Sequence, residues 1–372
     1  YKNGSEAGAY FTVIANPSLK WETQISTDIA LEFGLFDRLT GTIEYFKKDS
    51  KDLLFDVSQP ASVGVTSIIQ NIGKVTNSGV EIELDYNAFK NKDWSVSVGA
   101  NATFVKNKIK NLPATMKENG YISGSKKWLE GKSIYEFWLR QWHGVDPQTG
   151  DGLYVADVSK YNQGNIGTGD GNITQSQFDE YKKTVVTIDG KELTNSYTYA
   201  KYDFSGSSIP DVYGGFNVRV SYKNFELAAV FSYQLGGQIL DTNYATMMSM
   251  TEFGYAQSPD LLKAWKQAGD ITEVPRIDNS AAHTTNIGQS YSTRWLTSSD
   301  YLNLRSVTIG YQLPKTWLSK VMLKSARLNL TAENLFMLKA RQGLNPMANY
   351  SGVTYNEYMP SRNITLGLNV SF

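Results

Sequence analysis

The 372-residue sequence contains no cysteine, which excludes disulfide bridges, zinc–thiolate sites and cysteine nucleophiles. Histidine is almost as scarce, because His143 and His283 are the only two. Neither histidine stands in an HExxH metal-binding motif, and the sequence has no GxSxG nucleophile motif. We therefore expect no catalytic residues and no enzymatic activity.

Two further absences bound the class of protein. The 36 basic and 36 acidic residues cancel, so the sequence lacks the excess positive charge that marks nucleic-acid binding. No run approaches the ~20 consecutive apolar residues of a membrane-spanning helix, so any membrane crossing has to be made by strands. No linker, charge run or low-complexity tract divides the chain, and we expect a single domain.

The last eleven residues, Arg362–Phe372, alternate between large or apolar side chains and small polar ones. The same alternation recurs over residues 25–35, 80–87, 94–104 and 216–222. Alternation over about ten residues is typical of a strand that has one face in an apolar medium and one in water. We interpret the apolar C-terminal positions as the barrel-assembly signal: Ile364, Leu366, Leu368, Val370 and Phe372.

The repeated alternation predicts an all-β protein, an antiparallel transmembrane β-barrel with a polar lumen. Two other readings stay open at this point, a passive porin-like barrel and a soluble, glycan-binding β protein with half-exposed sheets. The 23 tyrosines fit interfacial aromatic belts as well as sugar-binding surfaces. We expect Trp94, Tyr222, Phe225, Tyr311, Trp317 and Phe372 near one rim, and Trp21 and Tyr301 near the other.

Eleven strands are predicted, at 22–35, 38–57, 71–89, 93–110, 133–144, 152–158, 211–223, 225–237, 299–312, 326–338 and 361–372. Short connections, such as Phe36–Asp37 and Lys223–Asn224, are expected on the periplasmic side, and long ones on the extracellular side. This scheme makes the turn Asp146–Gly150 periplasmic. Because bacterial single-chain barrels have even strand numbers, the odd count suggests a fragment of a longer polypeptide.

Several motifs resemble one family. Asn16–Glu22 is similar to the NPxLKWE segment of SusC/RagA-like TonB-dependent transporters of Bacteroidetes outer membranes. Further motifs of that family follow in order: Lys51–Leu54, Asn71–Gly73, Asn77–Glu81, Val145–Gly150, Ser208–Phe216, Tyr222–Phe225, Tyr301–Arg305, Gly310–Lys315, Glu333–Phe336, Tyr358–Arg362 and Gly367–Phe372.

The resemblance implies that residues 1–372 form the C-terminal half, about 10–11 strands, of a 22-stranded barrel in the outer membrane of a Gram-negative bacterium. The plug domain and the N-terminal strands would lie outside this sequence. Members of the family import oligosaccharides or peptides with a SusD-like surface lipoprotein as a lid, and the TonB complex supplies energy through the plug. Transporter–lipoprotein pairs that form a dimer are a further implied possibility.

Aromatic side chains in the long connections are the best candidates for contact with substrate or lid, because flat rings stack on sugars and anchor interfaces. The candidates are Trp128, Tyr161, Tyr181, Tyr244 and Trp265. Gly169–Thr174 resembles a calcium loop, so Asp170 and Thr174 are weak candidate ligands, although carboxylates are missing at other loop positions. No other cofactor is expected. Residues 258–268 read as a short helix that begins at Ser258.

Overall fold

The computed structural model describes residues 2–3, 6–7, 14–58, 65, 67–249, 254, 256–280, 283, 286–288, 291–318, 323–355 and 357–372. Most of these residues lie in antiparallel strands. No helix in the described part of the chain is long and apolar enough to cross a bilayer.

In chain order the strands are β1 (Lys2–Asn3), β2 (Glu6–Ala7), β3 (Thr23–Leu35), β4 (Leu39–Ser58), β5 (Ser67–Lys90), β6 (Trp94–Asn111), β7 (Tyr121–Ser123), β8 (Lys126–Trp128), β9 (Glu136–Arg140), β10 (Trp142–Val145), β11 (Gly152–Val155), β12 (Val185–Ile188), β13 (Lys191–Thr194), β14 (Tyr202–Ser207), β15 (Val212–Tyr222), β16 (Phe225–Leu235), β17 (Gln238–Leu240), β18 (Leu296–Ser298), β19 (Tyr301–Gln312), β20 (Ser325–Glu333), β21 (Met337–Lys339) and β22 (Asn363–Ser371). The α-helices are α1 (Gln175–Thr184), α2 (Thr242–Met247) and α3 (Lys315–Leu318). The 3₁₀ turns are Ala114–Met116, Gln163–Asn165, Tyr197–Tyr199, Pro259–Lys263 and Thr293–Trp295.

Ten strands form one large sheet, in which nine follow the order β22-β20-β19-β16-β15-β6-β5-β4-β3. The tenth, β21, pairs with β19 beyond the end of β20. Each strand of this path pairs with its neighbours in antiparallel register, as expected for a meander. The sheet has β22 and β3 at its two ends.

The register places apolar side chains of successive strands side by side on one face. One such row contains Leu366, Leu330, Ile309, Leu227, Val220 and Val96. Many of these side chains are uncovered, and the exposed fraction is 69% for Leu366 and 48% for Ile309. An exposed apolar face that crosses nine strands requires an apolar environment, since soluble monomers rarely expose such a large patch.

The opposite face is polar. A row there contains Thr365, Thr331, Thr308, Ala228, Arg219, Ser97 and Asn87. Charges on this face also meet, because Arg327 Nη2 lies 2.7 Å from Glu226 Oε2 and Arg219 Nε lies 3.5 Å from Glu226 Oε1. The two faces therefore have the chemistry that the alternation in the sequence predicts.

Connections leave the sheet at two opposite ends, with the three shortest at one end and the three longest at the other. Residues 36–38, 91–93, 223–224 and 313–324 join strands at one end, and residues 59–66, 112–211, 236–300 and 334–362 join strands at the other. Phe36, Asp37 and Lys223 adopt positive φ in two of the short turns. The rings of Trp94 and Tyr222 lie 4.3 Å apart at the short-turn end, in agreement with the predicted aromatic rim.

Two predicted spanning strands are wrong. Residues 133–144 and 152–158 do form strands, but β9, β10 and β11 belong to two smaller sheets, with the orders β14-β9-β8-β7 and β10-β11-β13-β12. Residues 112–211 form a single connection between β6 and β15. The turn Asp146–Gly150 belongs to this connection, so it does not lie with the short turns where the sequence predicted it. Phe137 and Leu139 alternate with polar or aromatic neighbours because they fill a core inside the connection.

Among the described residues, two of the three buried cores lie in the long connections, and the third includes Val75 of β5 and Ile109 of β6. The largest is formed by Phe137, Leu139, Leu240, Ala245, Met248, Ala264, Val274, Trp295 and Val353. It joins residues from 112–211, 236–300 and 334–362, which fixes these three connections against one another. The cores therefore position the candidate site, whereas the large sheet exposes its apolar face.

Candidate functional site

The five candidate aromatic residues all lie at the long-connection end, but they have different surroundings. Trp128 at the end of β8 packs edge-on against Phe55, with ring centroids 5.9 Å apart, and it also contacts Tyr121. Its ring is half-buried between the strand β4 and the connection. Trp128 therefore covers the core formed by Val75, Ile109, Leu112 and Met116.

Tyr161 and Tyr181 are buried in a second small core. The exposed fraction is 8% for Tyr161 and 1% for Tyr181, and their rings stack 5.2 Å apart. Tyr199 packs edge-on against both of them. Burial raises the pKa of the Tyr181 hydroxyl to about 12. These two rings pack inside the connection. Contact with substrate or lid stays a prediction for all five residues.

Tyr244 and Trp265 lie in the connection 236–300. The Arg341 guanidinium carbon lies 3.6 Å from the centre of the Tyr244 ring, and the Tyr244 hydroxyl donates to Asp260 at 2.7 Å. Burial and this bond to Asp260 raise the pKa of the Tyr244 hydroxyl. Trp265 Nε1 donates to the carbonyl oxygen of Pro147 at 2.9 Å. Both half-buried rings thus tie segments together while part of each stays accessible.

Residues 258–268 form a shorter helical segment than expected. The 3₁₀ turn Pro259–Lys263 begins at Ser258, whose side chain accepts from the Asp260 N–H. It ends before Ala264, which has extended backbone, and the Trp265 N–H then donates to the carbonyl oxygen of Val274. The helix stops because this segment pairs with another part of the same connection.

The two weak calcium candidates, Asp170 and Thr174, lie at or just before the start of helix α1. Thr174 caps helix α1, because its hydroxyl accepts from the Gln177 N–H while the Gln177 side chain accepts from the Thr174 N–H. Asp170 lies exposed in the turn before it. No group of three or more metal-binding side chains occurs among the described residues. Calcium binding stays a prediction.

Two features of the site were not predicted from the sequence. The first is a polar cavity of about 540 Å³ beside the sheet β10-β11-β13-β12. Arg276 joins its walls, since its Nε lies 3.0 Å from Asp151 Oδ1 and its Nη1 lies 2.9 Å from Asp278 Oδ2. The buried His283 places Nε2 2.7 Å from the carbonyl oxygen of Arg276. Residues so far apart in sequence give no local signal of their contact.

The second is a row of aromatic rings and cations on one face of the sheet β14-β9-β8-β7. Trp138 of β9 packs edge-on against Phe204 of β14, with ring centroids 4.9 Å apart. Lys127 Nζ lies 4.1 Å from the centre of the Trp138 ring. The alternation of Trp138 and Arg140 is visible in the sequence, but a spanning strand explains the same pattern equally well.

The fold described above agrees with the family found by comparison with known proteins. Residues 1–335 match the family described as TonB dependent receptor-like, beta-barrel. This chain belongs to the TonB-dependent receptor family. The TonB-dependent receptor P3 of Formosa agariphila is 29% identical, over 98% of this chain and 36% of the relative. The TonB-dependent receptor SusC of Bacteroides thetaiotaomicron is 24% identical, over 96% of this chain and 32% of the relative.

A solved structure of the RagAB peptide transporter superposes on the whole chain with a TM-score of 0.76 and 25% identity, and the match covers 38% of that structure's chain. This TonB-dependent receptor chain therefore spans about a third of the length of its relatives. The predicted SusC/RagA-like family and antiparallel barrel fold are confirmed. The relatives are receptors and transporters, so the expectation that the protein is not an enzyme is confirmed as well.

Proposed function

We propose that this chain is the C-terminal part of the barrel of an outer-membrane transporter that imports a nutrient oligomer, a glycan or a peptide. The observation that carries this proposal is the large sheet with one apolar and one polar face. Such a sheet separates lipid from a hydrated lumen when it closes with further strands. The long connections at one end would then form the mouth through which an oligomer enters.

The partners follow from the relatives. RagAB is a peptide transporter, and SusC is a TonB-dependent receptor. We infer a SusD-like lipoprotein that closes the mouth and a TonB complex that acts through a plug domain. Trp128, Tyr244 and Trp265 are the candidate contacts for substrate or lid, because part of each ring is accessible at the mouth. A dimer of transporter–lipoprotein pairs and a calcium ion near Asp170 stay secondary proposals.

Energised uptake tests the proposal. Cells that express the complete transporter are given fluorescent oligosaccharides and oligopeptides, before and after TonB is deleted. Import by this transporter should need TonB, and deletion should reduce uptake of its substrate to the level of cells without the transporter. Uptake that continues unchanged without TonB would indicate a passive porin and would contradict the proposal.

A purification of the same transporter tests the lid. An affinity tag on the transporter should recover a surface lipoprotein in a stoichiometric complex, and alanine at Trp128, Tyr244 and Trp265 should weaken binding of substrate or lid. Aromatic anchors of this kind contribute ~2 kcal/mol or more each when they are hot spots. Recovery of the transporter alone, under conditions that keep it folded, would remove the lid from the proposal.

A further inference from the structure

The row of rings and cations on the sheet β14-β9-β8-β7 extends over three aromatic side chains. Trp138 lies between Phe204, whose ring centroid is 4.9 Å away, and Tyr202, whose ring is stacked at 6.2 Å. The register pairs Trp138 with Phe204 and pairs Tyr202 with Arg140. All these side chains are half-buried, so each keeps an accessible part. We call this surface the cation–aromatic face.

A lysine or arginine side chain lies close to each ring of the cation–aromatic face. Lys127 Nζ lies 4.1 Å from the centre of the Trp138 ring, and Lys132 Nζ lies 4.7 Å from that of Phe204. The Arg140 guanidinium carbon lies 4.6 Å from the Tyr202 ring and 4.8 Å from the Tyr197 ring. These distances are within the ~6 Å at which a cation is attracted to a ring.

Rings hold these cations in place without cancelling their charge. Arg140 Nε donates to the carbonyl oxygen of Tyr197, which is a neutral acceptor. The neighbouring carboxylate Asp203 pairs with Lys201, whose Nζ lies 2.8 Å from Asp203 Oδ2. Asp203 also attracts Lys132 at longer range, but none of Lys127, Lys132 and Arg140 forms an ion pair with a described carboxylate. Three positive side chains therefore lie against aromatic rings and not against carboxylates, which is the arrangement expected of an anion-binding surface.

The opposite side of the same sheet is rigid. Phe137 and Leu139 alternate with Trp138 and are fully buried in the largest core. Lys126, the neighbour of Lys127, turns to that side, where its Nζ lies 2.8 Å from the Tyr135 carbonyl oxygen. The core thus fixes the strand that presents Trp138 and Arg140, and ligand binding would need little ordering of this face.

We propose that the cation–aromatic face binds an oligosaccharide that carries carboxylate or sulfate groups. This inference rests on the proposed function, and it assigns an anionic glycan as the substrate class of the transporter. Lysine and arginine supply charge-assisted donors for the acid groups. The accessible parts of Trp138, Tyr202 and Phe204 supply apolar contact for the C–H faces of the sugar rings.

An anionic glycan fits this face better than an acidic peptide does. The polar groups on Lys127, Lys132 and Arg140 are donors only, and they have no acceptor for the N–H groups of a peptide main chain. Glu136, which lies further along β9, interacts with the buried Lys126. An acid sugar needs no acceptor at the same positions, since its acid oxygens accept and its ring carbons pack on the aromatic side chains.

The test uses the complete transporter, purified in detergent with its partner lipoprotein, and isothermal titration calorimetry. The variant is the double substitution Lys127→Gln and Lys132→Gln, and the matched control is Lys182→Gln and Lys183→Gln, which removes two exposed lysines from helix α1. The probes are oligogalacturonate, sulfated dextran oligomers, neutral dextran oligomers and oligoglutamate. Each is titrated at low and at high salt, because charge contacts weaken as salt screens them.

We expect at least one anionic oligosaccharide to bind and the neutral dextran to bind far more weakly. The variant should weaken the anionic oligosaccharide about tenfold or more and should flatten its salt dependence, as loss of two charge-assisted contacts implies. The control should keep the wild-type affinity. Arg140→Lys, which keeps the charge but loses the planar stacking group, should weaken binding less than the double variant.

Three results would overturn the inference. Equal binding to the variant and the control would mean that the face takes no part, and tighter binding of oligoglutamate that the variant abolishes would make the face a peptide site. A lid lipoprotein that dissociates from the variant without any ligand would make it a protein interface. TonB-dependent uptake of a neutral glycan or peptide alongside any of these would leave the proposed function intact.

Discussion

Lys126 and Lys127 are neighbours in β8, and they use the same kind of partner on opposite sides of one sheet. Lys126 Nζ lies 3.2 Å from the centre of the Phe137 ring and is enclosed by the connection. Lys127 Nζ lies over Trp138 on the accessible side. Because adjacent residues of a strand point to opposite faces, Lys126 is a structural cation and Lys127 is a candidate ligand-binding cation.

The buried Lys126 makes stability depend on pH. Burial lowers the pKa of its ammonium group from 10.5 to about 7. Between these values the unfolded chain binds more protons than the folded one, so the stability of this region rises with pH from about 7 to about 10.5. Below the folded pKa both states are charged, and the full cost of burial remains. The variant Lys126→Met should abolish this rise.

Limited proteolysis of the purified transporter between pH 6.5 and 10 measures this effect, with each rate corrected for the protease's own pH dependence. Cleavage within 112–211 should slow as pH rises in the wild type and in the control Lys127→Met, and should show no such slowing in Lys126→Met. A parallel pH profile in wild type and Lys126→Met would contradict the assignment.

The strand β22 combines strict alternation in the sequence with exposed apolar side chains. Ile364, Leu366, Leu368 and Val370 lie on the apolar face, and Leu366 and Leu368 pair with Leu330 and Leu328 of β20. β22 is also one end of the large sheet. Its exposed apolar row suits its predicted role as an assembly signal together with Phe372.

Aspartate at Leu366 and Leu368 should sharply reduce the amount of transporter in the outer membrane, and so should deletion of Phe372. A charge at a lipid-facing position in mid-bilayer costs up to a few kcal/mol in a barrel. Quantitative blots of outer-membrane fractions measure this. The matched control is Asn369→Asp, because Asn369 pairs with Arg327 on the polar face and should tolerate the charge. Normal levels of the Leu366→Asp, Leu368→Asp protein would show that β22 does not face lipid.

Sequence patterns predicted the strands of the large sheet and failed in the connections, for one physical reason. Val80–Tyr86 and Phe137–Arg140 both alternate, and alternation reports only that a strand has two different faces. In β5 the apolar face is exposed on the large sheet, whereas Phe137 and Leu139 are buried by side chains from two other connections, 236–300 and 334–362. Likewise the sequence predicts Tyr161 and Tyr181 to be exposed loop aromatics, but in the structure Tyr199 and Phe178 enclose them.

At the scale of the whole molecule, the connections of the large sheet define two ends, with the three shortest turns at one end and the three longest connections at the other. The proposed function puts the long connections outside the cell and the short turns in the periplasm. Residues 1–372 contain no cysteine, so a thiol introduced among them is unique within this part of the transporter.

Single cysteines at the exposed positions Gln163, Lys191 and Gln267 should react with a membrane-impermeant maleimide on intact cells. Cysteines at Asp37, Lys92 and Asn224, in the short turns, should react only after the outer membrane is permeabilised. Labelling is read by a mass shift on gels, with the transporter that carries no introduced cysteine as the blank. The reverse pattern would invert the topology, and access to members of both sets would refute the division into two ends.

The separation of connections by length also bears on how such a protein changes through evolution. A segment inserted into 112–211 or 236–300 enlarges a region with its own buried core and leaves the register of β6, β15, β16 and β19 untouched. Insertion into the turn at Lys223–Asn224 would instead shift every pair between β15 and β16. Drift in length should therefore accumulate at one end of the molecule, so that new ligand specificities arise while the strand pairing is inherited unchanged.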